Sequence, residues 1–184
     1  LKVLDDAFGV EEGSFTSVHA YTSDQSLTDV PTQGDLRRSR AAMQNIVPQT
    51  TWTDEAVEEL FPHLKGKFKG IKLNVPVAEV SCSDLTVQMK RPVKASEVNE
   101  VFRSASQTIL KGVLDFTDQP IVSSDMNGNP ASCLFDSLAT LVTDDVLLKV
   151  IGWYEQGGGI SNRIVDLISQ VGPQSTTSGD RRTS

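Results

Sequence analysis

The sequence is poor in the residues that build metal and disulfide sites. Its 184 residues include two cysteines, Cys82 and Cys133, and two histidines, His19 and His63. Two cysteines are too few for a disulfide framework and are typical of proteins in a reducing compartment. No cysteine and histidine cluster has the spacing of a zinc site, so we expect no bound metal.

An excess of positive charge and long apolar runs are also missing. Lysine and arginine number 17 against 24 aspartate and glutamate residues, a formal net charge of −7. Nucleic acid is therefore not expected as a partner, because few basic residues are left over to neutralise phosphates. No apolar run is long enough to span a bilayer, and there is no charged-then-apolar leader. We expect a soluble, cytoplasmic protein with no membrane partner.

The chain is long enough to form one sizeable domain with a hydrophobic core. It starts without methionine, and Leu1, Leu4 and Phe8 follow helical spacing up to Gly9, a residue suited to end a helix. A helix that starts without a capping residue suggests that the natural start lies upstream.

The remaining patterns predict an α+β domain over residues 1–171. Alternating polarity predicts strands at 14–22, 70–77 and 80–90, and a pair within 132–155 around an Asp-Asp turn. Helical patterns predict one helix capped by Thr53 and stopped by Pro62, one capped by Ser96, and one from about Ile160. Because strands and helices do not alternate strictly, we expect a mostly antiparallel sheet with helices on one face. Residues 172–184 contain no apolar residue and are expected to form a disordered tail.

Several blocks of sequence carry a family resemblance. They read VHAYTSDQ, DLRRSRAAMQNIVPQTT, VSCSDLTVQMK, GVLDFTDQPIVSSDMNGNPASCLFD and WYEQGGGISNRIVDL. They follow the order seen in glyceraldehyde-3-phosphate dehydrogenases and the similar erythrose-4-phosphate dehydrogenases, and the resemblance covers about residues 1–171. The chain resembles the C-terminal catalytic domain of that family, in which the second face of the sheet makes subunit contacts. The long polar segment 23–52 resembles the loop that packs between subunits, which implies a homo-oligomer.

The resemblance implies a catalytic role for His19. In that family a cysteine attacks the aldehyde of a phosphorylated sugar, the adduct gives hydride to NAD or NADP, and phosphate releases the acyl group. The histidine that matches His19 activates the cysteine and then serves as the base. The resemblance places that cysteine and a Gly-rich dinucleotide-binding domain upstream of Leu1, outside this chain.

Other site positions partly depart from the family. Thr22 matches a threonine that holds the substrate phosphate, and Thr51 matches one that holds the attacking phosphate. Trp52 replaces a glycine of that second site and has the bulk to occupy the pocket. Asn74 replaces an arginine that serves the phosphate, and Gln156 replaces the asparagine that grips the nicotinamide carboxamide. These departures suggest altered or lost chemistry.

Several residues also have structural interpretations. His19 is either a base or a satisfied structural histidine, and His63 is interpreted as a surface residue. The cysteines are interpreted as small core residues rather than nucleophiles. Interface ion pairs, rather than phosphate binding, are the interpretation of Arg37, Arg38 and Arg40. A solvated face is the interpretation of Lys65, Lys67, Lys69 and Lys72. A flexible linker or a weak phosphate cradle is the interpretation of Gly157, Gly158 and Gly159.

Three functional hypotheses follow. In the first, the chain is the catalytic domain of a working phosphorylating aldehyde dehydrogenase and is inactive without the missing half. In the second, it is a dehydrogenase-derived protein that no longer oxidises aldehydes and acts as a binding or structural partner. In the third, it is a repurposed enzyme that keeps His19 as base for another reaction.

Overall fold

The computed structural model describes residues 1–31 and 34–171, which form one sheet covered by helices. Seven strands lie in the order β2-β3-β1-β4-β7-β6-β5. In chain order the elements are α1 (Lys2–Phe8), β1 (Val10–Ala20), β2 (Val47–Gln49), α2 (Thr53–Leu60), β3 (Phe68–Val75), β4 (Ser81–Met89), α3 (Ala95–Gln107), β5 (Leu114–Thr117), β6 (Cys133–Thr143), β7 (Leu147–Tyr154) and α4 (Gln156–Val171).

The sheet is mixed but mostly antiparallel. The pairs β1–β3 and β5–β6 run parallel, and the other neighbours run antiparallel. The expected α+β class with a mostly antiparallel sheet is therefore confirmed. The expected tail at 172–184 lies outside the described residues.

The core lies on one face of the sheet, which we call the helix-covered face and which carries Phe15, Leu85 and Val150. Strand register places these three side chains on the same side. Helices α1, α2 and α3 cover them with Leu4, Val57, Val98 and Phe102, among other apolar side chains. Apolar burial of this kind is the main favourable term in folding and fixes the frame on which the polar end of the same face is built.

The predicted turn between two strands is confirmed. Asp144 and Asp145, between β6 and β7, have φ angles of 49° and 59°. Two consecutive left-handed residues match the twist of a tight hairpin, and aspartate tolerates this conformation better than most residues. The helix stop at Gly9 is also confirmed, because that residue follows α1 with φ of 72°.

Both predicted helix caps are wrong. Helix α2 begins at Thr53, and Trp52 is its N-cap. The Thr53 hydroxyl is bonded to the hydroxyl of Thr51, which precedes the helix, at 2.7 Å and does not cap the helix. Helix α3 begins at Ala95, and the Lys94 carbonyl accepts the first helical bond from the Val98 amide. A side chain inside the first turn has already passed the cap position.

The glycine run belongs to a helix and is not a flexible linker. Helix α4 begins at Gln156, four residues before the expected start, and includes Gly157, Gly158 and Gly159. The Glu155 side chain accepts a bond from the Gly158 amide at 3.3 Å, and the Glu155 carbonyl accepts one from Gly159 at 3.2 Å. A carboxylate before the first turn offsets the low helix propensity of glycine by satisfying a free amide.

The arginines of segment 23–52 bond within the chain. Arg38 pairs with Asp24, and Arg40 lies 3.3 Å from the Asp29 carboxylate. Asp29 also accepts a bond from the Ala41 amide at 2.8 Å. These bonds give the segment its turns without long regular structure.

Within residues 1–31 and 34–171, no helix has the length and apolar character needed to cross a membrane. In the same ranges, no three or more histidine, cysteine, aspartate or glutamate side chains are grouped as a metal site requires.

Candidate active site

His19 lies near the end of β1 and is only 5% exposed. Its Nδ1 lies 2.6 Å from the Ala20 carbonyl oxygen, which can only accept, so Nδ1 carries the proton. The Nε2 lone pair then accepts from the Gln156 side-chain amide at 2.5 Å. Two hydrogen bonds therefore fix both the tautomer and the orientation of the imidazole.

The surroundings keep His19 neutral. Burial is the main cause that lowers the pKa of His19, and the positive charge of Lys72 lowers it further. The Ala20 carbonyl bond and the Asp24 charge act in the opposite direction. A neutral imidazole with its lone pair on Nε2 is the form that a general base requires.

Tyr154 and Ser17 support the imidazole from the sheet. The Tyr154 ring meets the His19 ring edge-on, with centroids 6.3 Å apart, and the Tyr154 and Ser17 hydroxyls are 2.6 Å apart. The Ser81 hydroxyl accepts from the Ala20 amide at 3.0 Å. The end of β1 is thus held through side chains of β4 and β7, which keeps the His19 backbone in place.

A cleft of about 590 Å³ opens beside His19, and Thr51 and Gln156 line it as well. Trp52 is 76% exposed and lines the cleft rather than filling it. Helix α4 borders the cleft with Ile160, among other residues. Three of the five predicted site residues therefore share one cavity.

Thr22 lies in a neighbouring cavity of about 520 Å³, which shares Gln156 with the first. Its hydroxyl donates to the Asp24 carboxylate, which also pairs with Arg38. The Thr22 bond is the main cause that lowers the pKa of Asp24, and the Arg38 charge adds to it. A hydroxyl that already donates to a carboxylate has no proton left for a phosphate oxygen.

Asn74 lines neither cavity. It is 2% exposed and pairs in register with His19 on the neighbouring strand. Its amide donates to the Gln25 side-chain oxygen at 2.6 Å, and that oxygen also accepts from the Thr22 amide at 3.1 Å. Asn74 Oδ1 is buried without a hydrogen-bond partner among the described residues. Through Gln25, Asn74 holds the start of segment 23–52 in place, and its role at a phosphate stays a prediction.

Neither cysteine lies in the His19 cleft. Cys82 pairs with Val18 in register and so lies on the opposite face from His19, and burial raises its pKa. Burial raises the pKa of Cys133 to about 11. Both are free thiols rather than the thiolates that nucleophilic attack requires.

The sequence interpretation missed Lys72, which lines the His19 cleft. A solvated lysine face was expected, but Lys72 pairs in register with Ser17 on the same face as His19. The signal was present in the alternation of β3, because residues two apart on a strand share a face. Lys72 therefore lies on the same side as Asn74.

Sequence comparisons identify relatives of the chain. The family model described as glyceraldehyde 3-phosphate dehydrogenase, C-terminal domain, matches residues 1–156. The chain is 50% identical over 171 residues to glyceraldehyde-3-phosphate dehydrogenase 2 of Bacillus subtilis, covering 93% of this chain and 50% of the relative. It is 49% identical over 174 residues to glyceraldehyde-3-phosphate dehydrogenase of Streptomyces coelicolor, covering 94% and 52%.

The chain thus spans about half the length of the curated relatives that it matches. The expected resemblance is confirmed over nearly the whole described chain. By family match and by identity, the chain belongs to the glyceraldehyde-3-phosphate dehydrogenase C-terminal domain family.

Proposed function

We propose that this domain supplies the general base of a phosphorylating aldehyde dehydrogenase that acts on a phosphorylated sugar aldehyde with NAD or NADP. The observation that carries the proposal is the state of His19. Its Nδ1 proton is held by the Ala20 carbonyl, and its Nε2 lone pair points to the cleft residue Gln156. The family membership supports the reaction class.

The nucleophilic cysteine would come from outside this chain, since Cys82 and Cys133 are not in the cleft. The exposed Gln156 amide would first turn away from His19 Nε2, which frees the lone pair to accept a proton from the thiol and to stabilise the thiolate as an ion pair. The thiolate would then add to the aldehyde carbon while Nε2 gives its proton to the carbonyl oxygen, which forms the hydroxyl of the hemithioacetal. Nε2, neutral again, would take that hydroxyl proton back while the carbon loses hydride. Inorganic phosphate would then displace the thiolate from the thioester and leave with the acyl group.

The described residues fit one end of the cofactor. The Gln156 side chain is exposed, and its Oε1 can accept a bond from a carboxamide while its amide group contacts His19. The nicotinamide ring, when bound, supplies the hydride acceptor. Within this chain, His19 would move the proton, and Thr51, which lines the same cleft, would hold an oxyanion.

The same proposal extends to assembly. Ile71 and Leu147 lie on the sheet face opposite the helix-covered face and are 43% and 41% exposed. A second copy of the chain packed there would cover them, and we propose a homo-oligomer with residues 1–171 as its catalytic domain. The two free cysteines support a location in the cytoplasm.

A second candidate is a dehydrogenase-derived binding protein without aldehyde oxidation. The specific observation in its favour is the pair of altered phosphate positions. Asn74 is buried and uncharged, and the Thr22 hydroxyl donates to Asp24. Phosphate binding at the Thr22 position would have to break the bond to Asp24 and then overcome the charge of that carboxylate.

The test is a fusion of this chain behind the half of the Bacillus subtilis relative that the match does not cover. We expect oxidation of glyceraldehyde 3-phosphate or erythrose 4-phosphate with NAD or NADP and phosphate. In the fusion, His19→Asn should lower kcat by roughly 10²–10⁴-fold, the usual contribution of a general base.

His63→Asn is the matched control and should leave the rate unchanged, because His63 bonds to Asp5 away from the cleft. A folded fusion without turnover would favour the binding protein. Turnover that is the same with and without His19 would contradict the role given to this residue.

A further inference from the structure

Lys72 lines the His19 cleft. On β3 it lies in register with Ser17, while Asn74 lies in register with His19. In a parallel pair, residues in register point to the same side of the sheet, so Lys72 points to the side of His19. It also lines the cleft together with Thr51.

The Lys72 ammonium has no counter-ion in contact. Along the same strand, Lys69 pairs with Asp54 at 3.0 Å, and the preceding Lys67 lies 3.7 Å from Glu11. Within residues 1–31 and 34–171, no carboxylate lies within ion-pair distance of the half-buried Lys72. The Lys72 charge is one of the causes that lower the pKa of Asp24, but the Asp24 carboxylate bonds to Thr22 and Arg38 and not to Lys72.

The other charged groups of the cleft are already engaged. Arg163 bonds to Asp166 at 2.7 Å and to the Ser132 hydroxyl at 3.2 Å. The Glu155 carboxylate accepts from the backbone amides of Gly128 and Gly158. Lys72 is therefore the cation of this cleft that is available to a ligand, among the residues that the structure describes.

Two hydroxyl groups line the same cleft as Lys72. The Thr51 and Thr53 hydroxyls are 2.7 Å apart, and both residues line the same cavity as Lys72. One of the two hydroxyls donates to the other, and Thr51 Oγ1 also accepts from the Thr53 amide at 3.2 Å. When Thr53 is the donor of that pair, the Thr51 proton is free, and the ammonium and this hydroxyl form a donor set for an oxyanion. Because His19 is neutral, it does not supply the positive charge that attracts an oxyanion to this cleft.

We propose that Lys72 is the cation of a phosphate-binding subsite in the His19 cleft, with Thr51 as the hydroxyl donor. Asn74 is buried and uncharged, so it supplies no charge to a phosphate. Lys72, two residues earlier on β3 and on the same face, supplies that charge instead. The assignment of this phosphate to the reaction rests on the proposed function, while the binding itself does not. Lys72 thus supplies the positive charge that an oxyanion in this cleft needs.

The experiment uses the full chain and inorganic phosphate, with ionic strength held constant by chloride. The chain has two histidines, so the NMR signals of His19 and His63 report on the cleft and on a distant surface. We expect phosphate to shift the His19 signal saturably and to raise the pKa of His19, because a bound anion stabilises the imidazolium. The His63 signal should not follow the same curve.

Lys72→Gln should weaken phosphate binding by about 10-fold or more, the size of a lost hydrogen bond to a charged group. Lys72→Arg should retain binding, and Lys65→Gln is the charge-matched control because exposed Lys65 lies outside the cleft. Thr51→Val removes one hydroxyl at similar volume and should weaken binding by a smaller factor. If the Lys72→Gln chain does not fold, phosphate binding by the Thr51→Val chain tests the proposal.

A His19 signal that ignores phosphate would overturn the proposal, and so would equal affinity in the Lys72→Gln or Thr51→Val chain. The result is separate from the fusion assay because no turnover is measured. A phosphate response in a chain whose fusion is inactive would leave this subsite standing and remove the proposed reaction. An active fusion, together with phosphate binding that is unchanged in the Lys72→Gln chain, would support the proposed reaction and remove this subsite.

Discussion

The two ends of the helix-covered face are buried to a similar degree but are chemically opposite. The first end carries Val10, Phe68 and Val87, which are at most 1% exposed. The second end carries His19 and Asn74, which are 5% and 2% exposed. The strands β1 and β3 run through both ends, so the difference comes from side chains and not from the backbone.

The comparison teaches that the polar end depends on hydrogen bonds where the apolar end depends on packing. At the polar end, the His19 ring bonds to Ala20 and Gln156, and Asn74 bonds to Gln25. Burial of a polar group costs free energy unless such a partner is present. The apolar end gains free energy from burial without any directional contact.

The largest expected effect separates the two ends on one strand. Phe68→Ala should lower the free energy of unfolding by about 3–5 kcal/mol, the usual cost of a cavity in a core. Asn74→Ala should cost about 1 kcal/mol, because it removes one hydrogen bond and also an unpaired oxygen. Denaturant unfolding measures both, and Leu60→Ala, at a residue 72% exposed, is the control with a change within about 0.5 kcal/mol. Equal losses at Phe68 and Asn74 would remove the contrast.

The next effect is on the pH dependence of stability. Burial lowers the pKa of His19 in the folded chain below its unfolded value of about 6.5. Between the two values the unfolded state binds more protons, so the free energy of unfolding falls as pH falls below about 6.5. Unfolding measured from pH 8 to pH 5 should show this loss in the native chain and in His63→Asn, and much less of it in His19→Asn. A loss that is the same in the His19→Asn chain would place its origin elsewhere.

The smallest effect concerns Gln156. Its amide donates to the lone pair of the neutral imidazole, so Gln156→Leu should raise the pKa of His19 by removing a bond that favours the neutral form. The effect on stability should be less than about 1 kcal/mol, because the Gln156 side chain is exposed and one hydrogen bond of this kind has a small net contribution. NMR titration measures the pKa, with Gln44→Leu as a control at an exposed position outside the cleft. An unchanged His19 titration would mean that this contact does not bias the ring.

Local patterns predicted the fold well and the site in part. The stop at Gly9 and the Asp144–Asp145 turn followed from the conformations that these residues tolerate. The caps at Thr53 and Ser96 failed because competing bonds or an earlier helix start decided the boundaries. Short-range rules do not include such competition.

The site residues show the same limit. Thr51 and Gln156 share the cleft with His19, whereas Thr22 and Asn74 bond to other side chains. A sequence position gives the place of a side chain but not its hydrogen-bond partners, and those partners decide what it can offer to a ligand. The predicted roles of these five residues stay predictions until the variants are measured.

The Ala20 carbonyl has a kinetic consequence for the imidazole. Because this bond holds the Nδ1 proton, the ring gains and loses its second proton at Nε2, on the side of the cleft. A molecule that covers Nε2 would slow this exchange even if it left the equilibrium unchanged. The rate at which the ring gains and loses its second proton at Nε2 therefore reports how often the cleft is closed to water.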